Sequence, residues 1–135
     1  MSWLQTRTME ISVVEDNPAD VLWLKHILQE VGVPHHLTIA RAGEQAVDCL
    51  MRKGCYQDAV APDLILLDMH LPKFDGLEVL RKVPESEKMP ICILSSSDRE
   101  KDAVSAHFRD HACYLKKPLS ADEFLHALRF VGAAA

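Results

Sequence analysis

Four short apolar runs in this chain each stop at polar residues. Ile11-Ser12-Val13-Val14 meets Glu15-Asp16, and Leu64-Ile65-Leu66-Leu67 meets Asp68. Ile91-Cys92-Ile93-Leu94 meets Ser95, and Ala112-Cys113-Tyr114-Leu115 meets Lys116-Lys117-Pro118. A near-continuous apolar run of this length reads as a strand buried on both faces, the condition of a parallel sheet covered by helices. Parallel strands bring their carboxyl ends to one edge, where open α/β sheets form their sites. The polar residues that follow the runs would then converge on one pocket.

The segments between the runs read as helices. Asn17 is a good N-cap and Pro18 suits the first helical position. Val21, Leu24, Leu28 and Val31 follow at helical spacing, and Gly32 stops the helix with Pro34 just beyond. Leu37-Thr38-Ile39-Ala40 is a further strand. A second helix starts near Gly43-Glu44, buries Ala46, Val47, Leu50 and Met51, and ends at Lys53-Gly54. A loop over 55–62 leads to the strand that ends at Asp68, and Leu71-Pro72-Lys73-Phe74-Asp75-Gly76 is turn chemistry. Leu77, Leu80 and Val83 mark a short third helix closed by Pro84. Asp98 can cap a fourth, which buries Val104 and Phe108. Ser120 with Glu123 three residues later forms a capping box for a fifth, whose stripe is Phe124, Leu125, Leu128 and Val131. Gly132 to Ala135 read as a frayed end. The pattern is βα repeated about five times, an α/β architecture.

Bulk properties bound the function classes. A chain of 135 residues, 48% hydrophobic, makes one ordinary domain over 1–135, with a core at about 10–131 and a tail at 1–9. A net charge of -5 argues against nucleic acid or an anionic membrane as a direct partner. No apolar stretch approaches the roughly 20 residues of a membrane span, and the first residues lack a secretory pattern, so a cytoplasmic location is expected. The four cysteines form no Cys-x-x-Cys pair and two lie inside apolar runs, which reads as reduced and mostly buried thiols. His35 and His36 are neighbours in a strand and should face opposite ways.

The chemistry of the strand ends is specific. Glu15, Asp16 and Asp68 are acceptor-only when ionised and repel one another unless a cation intervenes. Mg²⁺ fits, because it takes a few carboxylates and keeps waters or phosphate oxygens in its other positions. Asp68 can then attack phosphorus as a nucleophile, with Lys117 as a second cation and Ser95 as a hydroxyl donor to a phosphoryl oxygen. Any one polar residue at a strand end needs no such explanation, since the chain reaches water there. The conjunction of an acidic pair, an Asp, a hydroxyl and a Lys-Pro, each after a different run, does.

These residues carry a resemblance to the receiver domain of two-component response regulators, over about 10–131. Its carriers are Val14-Glu15-Asp16-Asn17, Asp63-Leu64-Ile65-Leu66-Leu67-Asp68, Leu71-Pro72-Lys73-Phe74-Asp75-Gly76, Ile93-Leu94-Ser95-Ser96-Ser97 and Tyr114-Leu115-Lys116-Lys117-Pro118. The resemblance implies a flavodoxin-like five-stranded sheet of order 2-1-3-4-5 with five helices, and a cis Lys117-Pro118 bond. It implies phosphorylation of Asp68 by the phosphohistidine of a sensor histidine kinase. Mg²⁺ would be held by Asp16, Asp68 and the His70 backbone carbonyl, and by Glu15 largely through water. Ser95 and Tyr114 take the switch positions. The face of the fourth helix, fifth strand and fifth helix is implied as a homodimer surface, and the first helix as the kinase's docking site. Such a protein is a phosphoacceptor with slow autodephosphorylation, and turns over no free substrate. Glu15-Asp16-Asn17-Pro18-Ala19-Asp20, the lengthened segment before Pro62-Asp63, and His111-Ala112-Cys113-Tyr114 look like the small regulators paired with phytochrome-type kinases. With four residues after Val131, no output domain is expected to follow.

Several residues stand beside this pattern. Glu15 replaces the commoner Asp but still reaches a metal-bound water. His70 either tunes the phosphorylated state or is a solvent-facing loop residue. Ser96 is small and leaves the site open, while Lys116 should point away from it. Trp23 lies off the stripe of the first helix and is expected to be partly exposed, as a docking anchor or a marginal core residue. Trp3-Leu4 is either a partner contact or a loose tail. The alternatives are a phosphorelay intermediate and a pseudo-receiver that binds without phosphorylation, although the pseudo-receiver class usually lacks one of the residues present here. A hydrolase of the haloacid dehalogenase type would want a second Asp where His70 stands. A flavodoxin would want a phosphate-cradling loop where Glu15-Asp16 stand.

Overall fold

A computed structural model of the chain describes residues 8–71, 75–108 and 112–134. Trp3-Leu4, Pro72 to Phe74 and His111 lie outside the described residues. The elements alternate as β1 (Met9–Val14), α1 (Pro18–Val31), β2 (His35–Ala40), α2 (Gly43–Met51), β3 (Leu64–Asp68), α3 (Gly76–Lys82), β4 (Ile91–Ser95), α4 (Lys101–His107), β5 (Cys113–Lys116) and α5 (Ala121–Ala134). The strands are parallel in the order β2-β1-β3-β4-β5, the flavodoxin-like order. Every residue of β3 and β4 is buried, which is why their sequences are apolar without alternation.

The sheet separates two apolar layers. On one face, Ile11, Val13, Leu66 and Leu94 pack with Leu24 and Leu28 of α1 and Phe124 and Leu128 of α5. On the other, Val14, Leu67 and Ile93 pack with Leu50 of α2, Val79 and Leu80 of α3, and Val104 and Phe108 at α4. Burying about 25 cal/mol of transfer free energy per Å² of apolar surface on both faces fixes each strand's register.

Local signals act as the residue types dictate, with some shifts. Asn17 caps α1 by accepting the Ala19 N–H at 2.9 Å, and Gly32 closes it at φ 77°. Asp75 caps α3 through the Glu78 N–H. The Ser120 hydroxyl accepts the Glu123 N–H, as a capping box requires, and α5 then runs to Ala134 instead of fraying at Gly132. Helix α2 stops earlier than expected, at Met51. Arg52 takes a left-handed φ of 53°, and the Lys53 N–H closes back on the Asp48 carbonyl. In α2 Cys49 takes the core position beside Ala46 and Leu50, leaving Val47 and Met51 half-buried. Similarly, in α3 Val79 is fully buried beside Leu80, while Leu77 is half-buried and packs against the same layer. A short 3-10 turn, Gly54–Tyr56, interrupts the loop before β3. Asp98 does not cap α4 with its side chain. Its carboxylate pairs with Lys116 at 3.0 Å, only its carbonyl accepts the Lys101 N–H, and the helix starts behind Glu100.

Other expectations hold. Cys49, Cys92 and Cys113 are free and buried, and Cys55 is free and exposed. His35 is half-buried while His36 is exposed and meets Glu10 at 2.9 Å. The Lys117-Pro118 bond is cis. Among the described residues no helix is long and apolar enough to cross a membrane.

Gly76 positions the edge on which the site is built. Its N–H bonds the Met69 carbonyl at 2.8 Å, drawing the start of α3 against the end of β3. A Cβ here would lie 2.9 Å from the Asp68 carbonyl and 3.1 Å from the Met69 Cα, both backbone atoms that cannot rotate away. Gly76→Ala should therefore destabilise the protein by about 1–3 kcal/mol, despite alanine's better helix propensity. Urea denaturation measures this, and an unchanged or raised midpoint would contradict it.

Candidate functional site

The parallel register sets Glu15 and Asp68 side by side. Val14 pairs with Leu67, so Glu15, just past β1, comes level with Asp68, the last residue of β3. Glu15 and Asp68 are 1% and 3% exposed, and Asp16 beside them is open to water. Carboxylate oxygens of all three lie within 4.8 Å of one another. Burial pushes the Glu15 carboxyl up to about 7. The hydrogen bond from Lys117 opposes that shift, and the neighbouring Asp68 charge adds to it.

The counter-charge comes from the far side of the sheet. Lys117, just after β5, reaches Glu15 Oε2 at 2.7 Å, Asp20 Oδ2 at 2.9 Å and Asp68 Oδ1 at 3.2 Å. Burial by itself would lower its affinity for a proton. The bonds to Glu15 and Asp20, with the charges of Asp68 and Glu15, outweigh this and hold the ammonium above the ordinary lysine range. Asp20 is the member that sequence reasoning missed. The available signal was its place in the first turn of α1, one turn beyond the acidic pair. Backbone donors complete the corner: the Asn17 N–H reaches Glu15 Oε1 and the His70 N–H reaches Asp68 Oδ1, each at 3.2 Å.

The carboxylates and ammonium open onto a cleft of about 490 Å³ lined by Glu15, Asp16, Asp68, His70, Ser96 and Lys117, among others. His70 is exposed at its mouth. Ser95, expected to face this space, is fully buried at its margin, and its Oγ accepts the Ser97 N–H at 3.2 Å. The hydroxyl-bearing residue that lines the cleft is Ser96. Tyr114, half-buried on β5, donates its hydroxyl hydrogen bond to the Ser97 carbonyl. Ser95 and Tyr114 thus hold the same loop from two sides without lining the cleft. Lys116 points away, as strand alternation requires, onto Asp98.

The donor set suits a hard divalent cation. It is all oxygen, it carries two buried carboxylates and an exposed one, and the only charge now balancing it is a lysine shared three ways among the described residues. Glu15, Asp16 and Asp68 are the residues that would hold Mg²⁺.

Comparison with known proteins agrees with this geometry. Residues 11–129 match the response regulator receiver domain. The chain is 36% identical over 110 residues to the response regulator Rcp1 of Synechocystis, covering 79% of this chain and 75% of that protein. A Mn²⁺-bound structure of Rcp1 superposes with a TM-score of 0.68 at 34% identity, over 93% of this chain and 90% of that one. The bacteriophytochrome response regulator AtBRR gives a TM-score of 0.79 at 33% identity, over 93% and 94%. The phosphorylated cyanobacterial phytochrome response regulator RcpA gives 0.69 at 37% identity, over 94% and 91%.

A cation at this corner competes with the proton on Glu15. With the carboxyl raised from 4.5 to about 7, the folded chain holds that proton through mildly acidic pH. The stability this gives the metal-free protein is complete below the unfolded value and is lost as pH rises through about 7. Mg²⁺ affinity should change in the opposite direction, increasing about tenfold between about pH 6 and about pH 8 as proton competition ends. Calorimetric titration measures it, and Glu15→Gln should flatten the dependence. An equally steep dependence in that variant would assign the proton to another group.

Proposed function

We propose, since this chain belongs to the response regulator receiver domain family, that it is a phosphorylation switch whose acceptor is Asp68. The observation that carries this reading is the Asp68 carboxylate itself. It is buried at the floor of an open cleft, with an acidic pair on one side and the Lys117 ammonium 3.2 Å away. A carboxylate oxygen can attack phosphorus directly, so the step needs no general base.

The donor is a phosphohistidine on a sensor histidine kinase. An Asp68 carboxylate oxygen attacks phosphorus, the P–N bond breaks, and the imidazole leaves with the electron pair and takes up a proton from water. The product is an aspartyl phosphate. Bound Mg²⁺ supplies neutralisation of the phosphoryl oxygens. Lys117 then moves part of its charge from the carboxylates to the new phosphoryl group, and the His70 N–H holds Asp68 Oδ1 in place for attack. The description of the similar proteins AtBRR and RcpA as phytochrome response regulators supports a phytochrome-associated kinase as the donor.

The phosphoryl state is read at the α4, β5 and α5 face, by a partner or a second copy of the chain. Support comes from the hydrogen bonds Ser97 N–H to Ser95 Oγ and Tyr114 O–H to the Ser97 carbonyl, which join the edge of the site to β5. If Ser95 turns its hydroxyl to a phosphoryl oxygen, it releases the Ser97 amide, and the Tyr114 contact must adjust. Phosphorylation acts here by shifting a two-state population.

Incubation with Mg²⁺ and acetyl phosphate should add one phosphoryl group to the wild-type chain, visible by intact mass and removed by hydroxylamine. Asp68→Asn should stay unmodified, and chelating the metal should abolish the reaction. Equal modification of Asp68→Asn would sink the assignment. The readout at the α4–β5–α5 face is separate: sedimentation or kinase affinity should change with beryllofluoride, and identical values with and without it would refute that part alone.

A further inference from the structure

Trp23 lies off the buried stripe of α1, as expected. It is 43% exposed, yet its indole is tied down, with Nε1–H donating to the Leu119 carbonyl at 2.6 Å. The partners are 96 residues apart in sequence and join α1 to the segment that carries Lys117. Trp23 lies one turn after Asp20, on the same side of the helix, where residues three apart are neighbours. Helix α1 therefore grips this segment twice: Asp20 holds the Lys117 ammonium, and Trp23 holds the backbone two residues further on. A small space of about 20 Å³, roughly room for one water, lies between Trp23, Leu24, Leu94, Lys117 and Leu119, among others.

We infer that Trp23 is a positioning residue for Lys117, a role that rests on the phosphoacceptor reading above. The far end of the segment is otherwise fixed by the Leu119 side chain in the core, and its near end by the Lys117 N–H on the Ser95 carbonyl at 2.9 Å. When Lys117 turns from the carboxylates toward a phosphoryl group, its ammonium loses contacts that help define its position. The indole bond keeps the backbone below it in register during that exchange. A helix face that a partner can reach is thereby linked to the catalytic cation, because the residue making the bond is itself partly exposed.

The test is Trp23→Phe, which keeps an aromatic ring and removes only the N–H donor and part of the ring system. With acetyl phosphate and saturating Mg²⁺, the rate of Asp68 modification should fall by roughly tenfold, below the hundredfold that an ångström of misplacement can cost. Saturating Mg²⁺ keeps any change in metal affinity, transmitted through the Lys117 contacts to Glu15 and Asp68, out of the comparison. The same substitution in a Lys117→Met background should have no further effect, because Trp23 acts through Lys117. Independently of phosphorylation, the Lys117 ammonium resonance in ¹⁵N NMR should shift in Trp23→Phe. An unmodified wild-type chain would count against the phosphoacceptor reading, with the NMR shift still deciding the link to Lys117. A modified wild type with an equal rate in Trp23→Phe, an unmoved Lys117 resonance, or an equal loss in the Lys117→Met background would overturn this inference alone.

Discussion

Everything at this site follows from negative charge crowded at the end of a parallel sheet. Burial of β1 and β3 on both faces sets Glu15 and Asp68 side by side at the carboxyl edge of the sheet and takes both from water. Desolvation and like charge then work against ionising them both, which the Glu15 carboxyl registers as a shift to about 7. The fold answers with one ammonium, Lys117, shared among Glu15, Asp20 and Asp68. A single charge divided three ways is a weak solution, and one that a divalent cation improves. The same shortage of positive charge suits the corner to a metal ion and underlies the proposed move of Lys117 to a phosphoryl group.

The sequence made much of this legible because the relevant signals are local. Apolar runs that end in Glu15-Asp16, Asp68, Ser95 and Lys117 locate both the strands and their shared edge. Caps at Asn17 and Ser120 read correctly, since a short polar side chain competes for the first amides of a helix wherever it stands. Where local reading failed, a distant partner had prior claim on the side chain. Asp98 looks like a cap but is taken by Lys116 from β5. Asp20 looks like an ordinary acidic first-turn residue, and its bond to Lys117 comes from a partner 97 residues away. Cys49 is buried with Ala46 and Leu50 at helical spacing while Val47 and Met51 pack at the margin of that core, and the helix ends at a left-handed Arg52 and not at a glycine. The indole bond of Trp23 is likewise a long-range contact with no sequence signature.

The hydroxyl at the edge of the site shows how a switch can be built from ordinary hydrogen bonds. Ser95 is buried and satisfied by the Ser97 amide, and the next carbonyl partner along is the Tyr114 hydroxyl on β5. Any ligand that competes for the Ser95 hydroxyl disturbs a connected set, because buried polar groups must be re-paired when one of them moves. Ser96, which lines the cleft, leaves the approach to Asp68 open.

In the proposed switch Asp68, Lys117 and Ser95 act on one phosphoryl group. The most direct measurement is an experimental structure of the chain with Mg²⁺ and beryllofluoride. Beryllofluoride should sit on an Asp68 oxygen, with the cation against Glu15, Asp16 and Asp68, the Lys117 ammonium moved onto a fluoride, and the Ser95 hydroxyl turned from the Ser97 amide to another fluoride. Beryllofluoride bound with Lys117 still shared between Glu15 and Asp20, and Ser95 still on the Ser97 amide, would contradict it.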